Sequence, residues 1–197
     1  MAQELNKNRM RDTKILLAAT ILVGICGTTS IKDNEALRAL FMMSGLVLAA
    51  ACAIGRIYAT AFIGGSKNEK LITTGAYSIC RNPLYLFSLM GAAGVGLMSC
   101  SLLAFVVIVG GFLFIYDGLI AREEAFLTEK FDADFEAFKK STPRLMPALN
   151  QYNAPVDFTF QPKYLNYAIR DAVWWFAPLV VFELLWSFGF KGFIPLF

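Results

Sequence analysis

Long, largely uncharged stretches of apolar residues, separated by short polar segments, constrain this chain more than any other feature of its sequence. The apolar stretches run from Ile15 to Ile31, Ala36 to Ile63, Leu84 to Met98, Leu102 to Ile120 and Tyr167 to Phe190. About 20 apolar residues suffice to cross the hydrocarbon core of a bilayer as a helix, in which every backbone polar group is satisfied internally. The sequence therefore predicts an all-α polytopic membrane helical bundle of about five transmembrane helices.

Composition supports a membrane class and excludes several kinds of chemistry. The chain is 57% hydrophobic and 17% charged, whereas soluble domains have about 45–50% apolar and about 25% charged residues. It contains no histidine, which excludes a histidine base, triad or metal ligand. Cys26, Cys52, Cys80 and Cys100 form no CxxC pair, so we expect neither a metal site nor a disulfide framework.

The distribution of basic residues predicts the orientation of the chain in the membrane. A cytoplasmic N-terminus places nearly all Lys and Arg residues on the inner side and leaves only Lys32, Arg38 and Lys191 outside. This is a strong positive-inside bias. We therefore expect a multi-pass protein of a bacterial inner membrane or the endoplasmic reticulum. Its partners are then the lipid bilayer and a lipid-like molecule, with no nucleic acid.

The polar stretch 73–85 separates the second and third apolar runs. Gly75 permits a tight turn, and Pro83 ends a preceding helix but suits a helix start. Tyr77, Arg81 and Asn82 add an aromatic face, a fixed charge and amide donors. Taken alone, such a stretch also fits an ordinary membrane loop.

A second polar segment follows the fourth apolar run. Glu123 to Lys140 is predicted to be a cytoplasmic amphipathic helix, because its apolar residues recur at helical spacing. Pro143 and Pro147 end it. We expect the apolar stripe to pack against the membrane body or its surface. The stripe consists of Leu127, Phe131, Phe135 and Phe138.

The two polar segments resemble the paired signatures of the isoprenylcysteine carboxyl methyltransferase and phospholipid N-methyltransferase family. The first signature is matched by Gly75-x-Tyr77-x-x-x-Arg81-Asn82-Pro83-x-Tyr85, and the second by Glu123-Glu124 followed by Pro143-Arg144-x-x-Pro147. Members of this family are integral membrane enzymes that use S-adenosyl-L-methionine. The resemblance covers roughly residues 55–147. It implies methyl transfer to a lipid-like or prenylated small acceptor at the cytoplasmic membrane face.

The resemblance also implies a site with residues from both signatures. The cofactor-binding residues it implies are Glu69, Lys70, Leu71, Ile72, Gly75, Tyr77, Arg81, Asn82, Pro83, Leu84, Tyr85 and Glu123. The catalytic residues it implies are Arg122, Glu123 and Glu124. Two roles stay open. Arg81 either contacts a ligand or anchors a helix end, and Glu124 either orients a neighbour or complements a helix dipole.

Several positions depart from the family pattern. Asn82 replaces a histidine, Asp132 replaces a glycine, and Phe135 and Phe138 replace tyrosines. Leu119 stands where the prenylcysteine enzymes have an arginine that reads the substrate carboxylate, which argues against a prenylcysteine acceptor. Two alternatives stay open: a reductase-like relative that uses NADPH, and a non-catalytic membrane scaffold with the same fold.

The sequence divides into a core, a linker and an added segment. Residues 1–147 form the methyltransferase core, with its motifs at 69–85 and 122–147. Residues 148–166 are the linker, and 167–197 form an additional C-terminal transmembrane segment. The role of Glu183 in that segment stays open: it is either a functional residue or the partner of a group on a neighbouring helix. Asp117 is interpreted as an interfacial acid near Arg122, with ligand contact as the alternative.

Overall fold

The structure, a computed structural model, describes residues 34–65, 69–155 and 160–189, together with 27–28, 31 and 194–195. The predicted first span, Ile15 to Ile31, lies almost entirely outside the described residues. The helices are α1 (Glu35–Ile63), α2 (Ala76–Ile79), α3 (Pro83–Met98), α4 (Leu102–Ser141), α5 (Pro162–Val173) and α6 (Ala177–Ser187). Two 3-10 turns lie at Leu149–Gln151 and Trp174–Phe176, and a two-residue parallel pairing joins β1 (Gly27–Thr28) to β2 (Ile194–Pro195). Helix is therefore the dominant structure of the described residues, as predicted.

Local sequence explains where the main helices begin. Asn34 caps α1, because its side chain accepts a hydrogen bond of 3.1 Å from the backbone N–H of Leu37. Ser101 caps α4 in the same way through the N–H of Ala104. Pro83 occupies the first turn of α3, where its missing N–H costs nothing. These starts separate the apolar runs into distinct helices.

Two helices, α1 and α4, are long and apolar enough to cross a membrane. The shorter α3 is also apolar and runs antiparallel to α1. Glycines let these two backbones approach closely. A Cβ on Gly45 would lie 2.6 Å from the carbonyl oxygen of Gly94, and one on Gly94 would lie 2.7 Å from that of Gly45. The α1–α3 contact therefore depends on the absence of side chains at both positions.

The C-terminal helices pack back along α1. Asp171 of α5 forms an ion pair of 2.5 Å with Arg56, and Glu183 of α6 forms one of 2.7 Å with Arg38. Glu183 thus has its partner on a neighbouring helix, which is one of the two roles left open by the sequence. The two pairs lie near opposite ends of α1, which fixes α5 and α6 antiparallel to it.

The structure corrects two predictions about elements. The fourth apolar run and the predicted helix Glu123 to Lys140 are one helix, α4, because the residues between them include no helix breaker. Its interruption lies later, at Asp132, where φ is 41° and ψ is −115°. The predicted linker 148–166 is also partly structured, because it contains a 3-10 turn and the start of α5. The predicted packing of Phe135 and Phe138 is confirmed, since both are buried.

Substitution of Gly94 by alanine is expected to weaken the α1–α3 contact. The added methyl group would meet a backbone carbonyl that cannot rotate away, and such overpacking costs about 1–3 kcal/mol. Thermal unfolding of the purified protein in detergent should show a lower Tm for Gly94→Ala. Gly110→Ala is the matched control, because nothing lies within 4 Å of the Cβ it would add. Equal Tm values for the two variants would contradict this account of the packing.

Substitution of Asp132 by glycine is expected to stabilise the protein. A residue with a side chain is strained by about 1–3 kcal/mol at such a positive φ, whereas glycine adopts it readily. Asp134→Gly is the control with the opposite sign, because glycine destabilises a regular helix by about 1 kcal/mol. Chemical unfolding should therefore rank Asp132→Gly above the natural sequence and Asp134→Gly below it.

Candidate functional site

The two polar motifs meet at one end of the helical bundle. The first motif occupies α2 and the start of α3, and the second occupies the later half of α4 and the loop that follows it. Because α3 and α4 form an antiparallel hairpin, the first turn of α3 lies beside the middle of α4. The rings of Tyr85 and Tyr116 are accordingly 5.4 Å apart in an edge-to-face arrangement.

Gly75 shapes the turn that opens the first motif. Its φ of 60° and ψ of −129° belong to a region that favours glycine, and a Cβ there would collide with the ring of Phe62. One turn later, the hydroxyl of Ser78 donates to the Gly75 carbonyl oxygen at 2.7 Å. The turn is therefore rigid, and it directs Tyr77 into the protein interior.

Residues 148–153, here called the strap, cover the first motif. The N–H of Gly75 donates to the carbonyl oxygen of Asn153, and the N–H of Asn153 donates to the hydroxyl of Ser78. The N–H of Ala148 donates to the carbonyl oxygen of Ile79. Through these hydrogen bonds residues 148–153 pack against the first motif, so this part of the predicted linker is ordered.

The carboxylate of Glu124 joins the two motifs. Its Oε1 accepts hydrogen bonds of 3.0 Å from Arg81 and of 3.0 Å from the amide of Asn82. The side chains of Glu124 and Arg81 are only 13% and 11% exposed. An ion pair this shielded is costly to break, because the remaining charge would stay buried.

Arg81 and Asn82 also bind the end of α4. The guanidinium of Arg81 donates to the carbonyl oxygens of Lys139 and Thr142 at 2.9 and 2.7 Å. The amide nitrogen of Asn82 donates to the carbonyl oxygen of Arg144. The contacts of Arg81 are thus those of a helix-end anchor. Because the side-chain amide of Asn82 donates both its hydrogens within the protein, a ligand could hydrogen-bond to this side chain through its acceptor Oδ1.

Tyr77 places a hydroxyl group in the interior beside Glu123. The ring is 7% exposed, and the hydroxyl is buried without a hydrogen-bond partner in the described part of the chain. Burial raises the pKa of Tyr77 far above its usual range, and the nearby charges of Glu123, Cys80 and Tyr85 add to the effect. The phenol is therefore protonated at neutral pH. A buried hydroxyl without a partner costs about 1–3 kcal/mol, which a polar group of a ligand would recover.

Cys80 lies close to this cluster but is not activated. Burial raises its pKa to about 11, so the thiol stays protonated at neutral pH and is a weak nucleophile. Among the described residues there is no group of three or more His, Cys, Asp or Glu residues placed to hold a metal ion.

The other predicted site residues fall into two groups. Arg122, Glu69 and Lys70 are exposed, and the guanidinium of Arg122 donates to the carbonyl oxygen of Gly118 on its own helix. The partly or fully buried group lies around Tyr77 and at the start of α3. It consists of Leu71, Ile72, Pro83 and Leu84.

A pocket of about 50 Å³ adjoins Tyr85, between α3, α4 and the loop after α4. Phe112 and Tyr116 form one wall, with their rings stacked 3.9 Å apart, and Asp117 and Arg144 also line the pocket. The guanidinium of Arg144 donates to the carboxylate of Asp117 at 2.5 Å and to its carbonyl oxygen at 3.0 Å. The expected neighbour of Asp117, Arg122, is thus not its partner. The sequence signal for Arg144 was its place in the second signature, but the pocket itself was not foreseen.

Comparison with known proteins identifies the class of protein that this fold and site define. The chain belongs to the phospholipid methyltransferase family, which it matches over residues 35–134. It is therefore an integral membrane protein of a methyltransferase family.

Two curated relatives are named for metal resistance. The cobalt-zinc-cadmium resistance protein CzcN of Cupriavidus metallidurans is 32% identical over 77% of this chain and 69% of its own length. The nickel-cobalt-cadmium resistance protein NccN of Alcaligenes xylosoxydans xylosoxydans is 24% identical over 90% of this chain and 82% of its own length. No solved structure matches the chain.

Removal of the Glu124 carboxylate is expected to destabilise the protein strongly. Glu124→Ala would leave the charge of Arg81 buried without its carboxylate partner, at a cost of about 3–5 kcal/mol, whereas Glu124→Gln retains one acceptor oxygen and should cost less. Chemical unfolding in detergent measures both changes. Glu136→Ala is the control, because its pair with Lys139 is more exposed and such pairs are worth about 0–1 kcal/mol. A loss no larger for Glu124→Ala than for this control would contradict the proposed role of Glu124.

Proposed function

We propose that this protein transfers a methyl group from S-adenosyl-L-methionine to a lipid-like acceptor at the cytoplasmic face of a membrane. The observation that carries the proposal is the buried hydroxyl of Tyr77, which has no hydrogen-bond partner among the described residues and lies near enough to Glu123 and Tyr85 for their charges to affect its pKa. A polar group of a bound cofactor would satisfy that hydroxyl. Membership of the phospholipid methyltransferase family supports the same chemistry.

The residues present fit the charges of this cofactor. Glu123 would bind the cofactor ammonium group or a ribose hydroxyl, and Tyr77 would donate or accept a hydrogen bond. The ring of Tyr85 would face the sulfonium, since aromatic faces attract cations. Partly or fully buried apolar residues around them would enclose the adenine. These are Leu71, Ile72, Pro83 and Leu84.

A second set of residues holds the first in place. We assign Arg81, Asn82 and Glu124 to positioning, because their side chains bond to one another and to the end of α4. Glu124 fixes the backbone of α4 next to Glu123, and Arg81 fixes the chain between Tyr77 and Tyr85. Arg122 lies outside this proposed site because its side chain is exposed.

Methyl transfer requires little of the protein beyond orienting the two reactants and excluding water. When bound, the cofactor would supply an electrophilic methyl group with a neutral thioether as its leaving group, so that Glu123, Tyr77 and Tyr85 would have only to bind and orient it. Orientation of two reactants can supply about 7–11 kcal/mol of the barrier. No histidine is needed for such a step, which agrees with a chain that has none.

We further propose a multi-pass topology with the site on the cytoplasmic side. The end of the bundle that carries both motifs also carries many basic side chains, among them Lys70, Lys130, Lys140 and Lys163, as the positive-inside tendency requires. A water-soluble cofactor is available on that side. The names of the two relatives suggest a setting in metal resistance, to which methylation of a membrane component would contribute.

Calorimetric titration of the purified protein in neutral nanodiscs tests the proposal. We expect S-adenosyl-L-methionine to bind, and Glu123→Ala to weaken binding at least tenfold, because a charge-assisted hydrogen bond is worth about 1.5–3 kcal/mol. Tyr77→Phe should weaken binding while leaving the unliganded protein as stable or more stable, since it removes a buried hydroxyl that has no hydrogen-bond partner among the described residues. These opposite signs separate a ligand contact from a structural role.

Glu129→Ala is the control for the titration, because Glu129 is exposed on the same helix and should leave binding unchanged. Absence of binding by the natural sequence would refute the methyltransferase proposal. Binding of NADPH in its place would favour the reductase alternative.

A further inference from the structure

The pocket between α3 and α4 shares one wall with the proposed cofactor site. Tyr85 lines the pocket and packs edge-on against Tyr116, and it also lies near enough to Tyr77 to affect the pKa of that phenol. A methyl acceptor must approach the transferred group to about 3–3.5 Å. A molecule in this pocket would contact Tyr85, and a reactive group that extends past the edge of that ring would reach the proposed cofactor site.

Most of the pocket lining is apolar, and the pocket lies beside an exposed apolar surface of α4 that we expect to face lipid. Phe112 and Tyr116 provide a flat aromatic wall, and Leu113 provides an aliphatic one. Leu113 and its neighbour Phe114 are 45% and 86% exposed on α4, one of the helices long and apolar enough to cross the membrane. The apolar part of a ligand can therefore remain in the bilayer while its polar end enters the pocket.

Arg144 supplies the positive charge at this pocket. Its carboxylate partner, Asp117, has a side chain that is 70% exposed, so solvent and salt compete for that pair. The Nε of Arg144 is buried and forms a longer ion pair with Oε2 of Glu124 at 3.8 Å, and it has no hydrogen-bond partner among the described residues. Arg144 thus has a solvent-exposed partner, Asp117, on one side and, on the other, an Nε–H that makes no hydrogen bond within the described residues.

We propose that this pocket binds the methyl acceptor, and that Arg144 pairs with an anionic group, a carboxylate or a phosphate, on an otherwise apolar acceptor. The guanidinium fork matches either group through two parallel hydrogen bonds. The anion would displace Asp117, whose carboxylate then turns to water. The identification of the bound molecule as the methyl acceptor rests on the proposed function, whereas its binding in the pocket does not require the cofactor.

Binding of model amphiphiles to the full chain in phosphatidylcholine nanodiscs tests the proposal without cofactor. The probes are laurate and lauryl phosphate, with dodecyltrimethylammonium as their cationic counterpart. We expect one or both anions to bind and Arg144→Gln to weaken that binding at least tenfold. The anion that binds more tightly identifies the group, carboxylate or phosphate, with which Arg144 pairs. Tighter binding of the cation would overturn the proposal.

Two further variants control for fold and for general charge. Lys140→Gln removes the same charge from an exposed site on the same side of the bundle and should change anion binding less than twofold. Asp117→Asn removes the competing carboxylate and should tighten anion binding several-fold, which a merely unfolded variant could not do. Equal loss in Arg144→Gln and Lys140→Gln, or weaker binding in Asp117→Asn, would contradict the proposal. A failed cofactor titration would refute the methyltransferase proposal and leave this binding result intact.

Discussion

The carboxylate of Glu124 is the contact on which the arrangement of the site depends. It accepts from Arg81 and Asn82 of the first motif while it sits on the helix that carries the second. Arg81 extends the link to the carbonyl oxygens at the end of α4. These hydrogen bonds are strong because the groups are shielded from water. For the same reason, the loss of any one of them would destabilise the folded protein. The positions of Tyr77, Tyr85 and Glu123 follow from this link.

The helical bundle provides the frame for that contact through two different forces. Between α1 and α3, glycines allow backbone contact, so dispersion forces act over a long interface. Between α1 and the C-terminal helices, the pairs Arg56–Asp171 and Arg38–Glu183 fix the register. Charges within apolar helices are tolerated only when paired, and each pair here joins residues more than 100 positions apart in the sequence. The C-terminal segment is thus part of the bundle's packing.

The helices could be predicted from the sequence because their causes are local. Apolar run length, the caps at Asn34 and Ser101, and Pro83 each act within a few residues. The continuity of α4 was missed because nothing local marks where an apolar helix leaves the membrane and continues in water. The strap was missed because it docks through backbone hydrogen bonds, which leave little trace in side-chain patterns.

The sequence predicts which residues form the candidate site, but it does not predict how their side chains contact one another. The motifs named Arg81, Asn82, Glu123 and Glu124 together, yet which of them face inward toward one another depends on how α3 and α4 are rotated. The pocket had no sequence signal of its own, since Phe112 and Tyr116 read as ordinary members of an apolar run. Arg144 could be noted from its motif, but its pairing with Asp117 required the fold.

The departures from the family signatures are consistent with this division of roles. Asn82 replaces a histidine, and its amide group can donate two hydrogen bonds at once, to Glu124 and to Arg144, whereas a neutral imidazole donates one. Phe135 and Phe138 replace tyrosines at buried positions, where a hydroxyl would need a partner. Asp132 stands at the signature's glycine position and has a positive φ, which glycine adopts more readily. The interruption of α4 is therefore present although the residue best suited to it is not. At each of these positions, the departure from the signature changes a structural contact or the local backbone strain. The residues that our proposal places against the cofactor all match the signature: Tyr77, Tyr85 and Glu123.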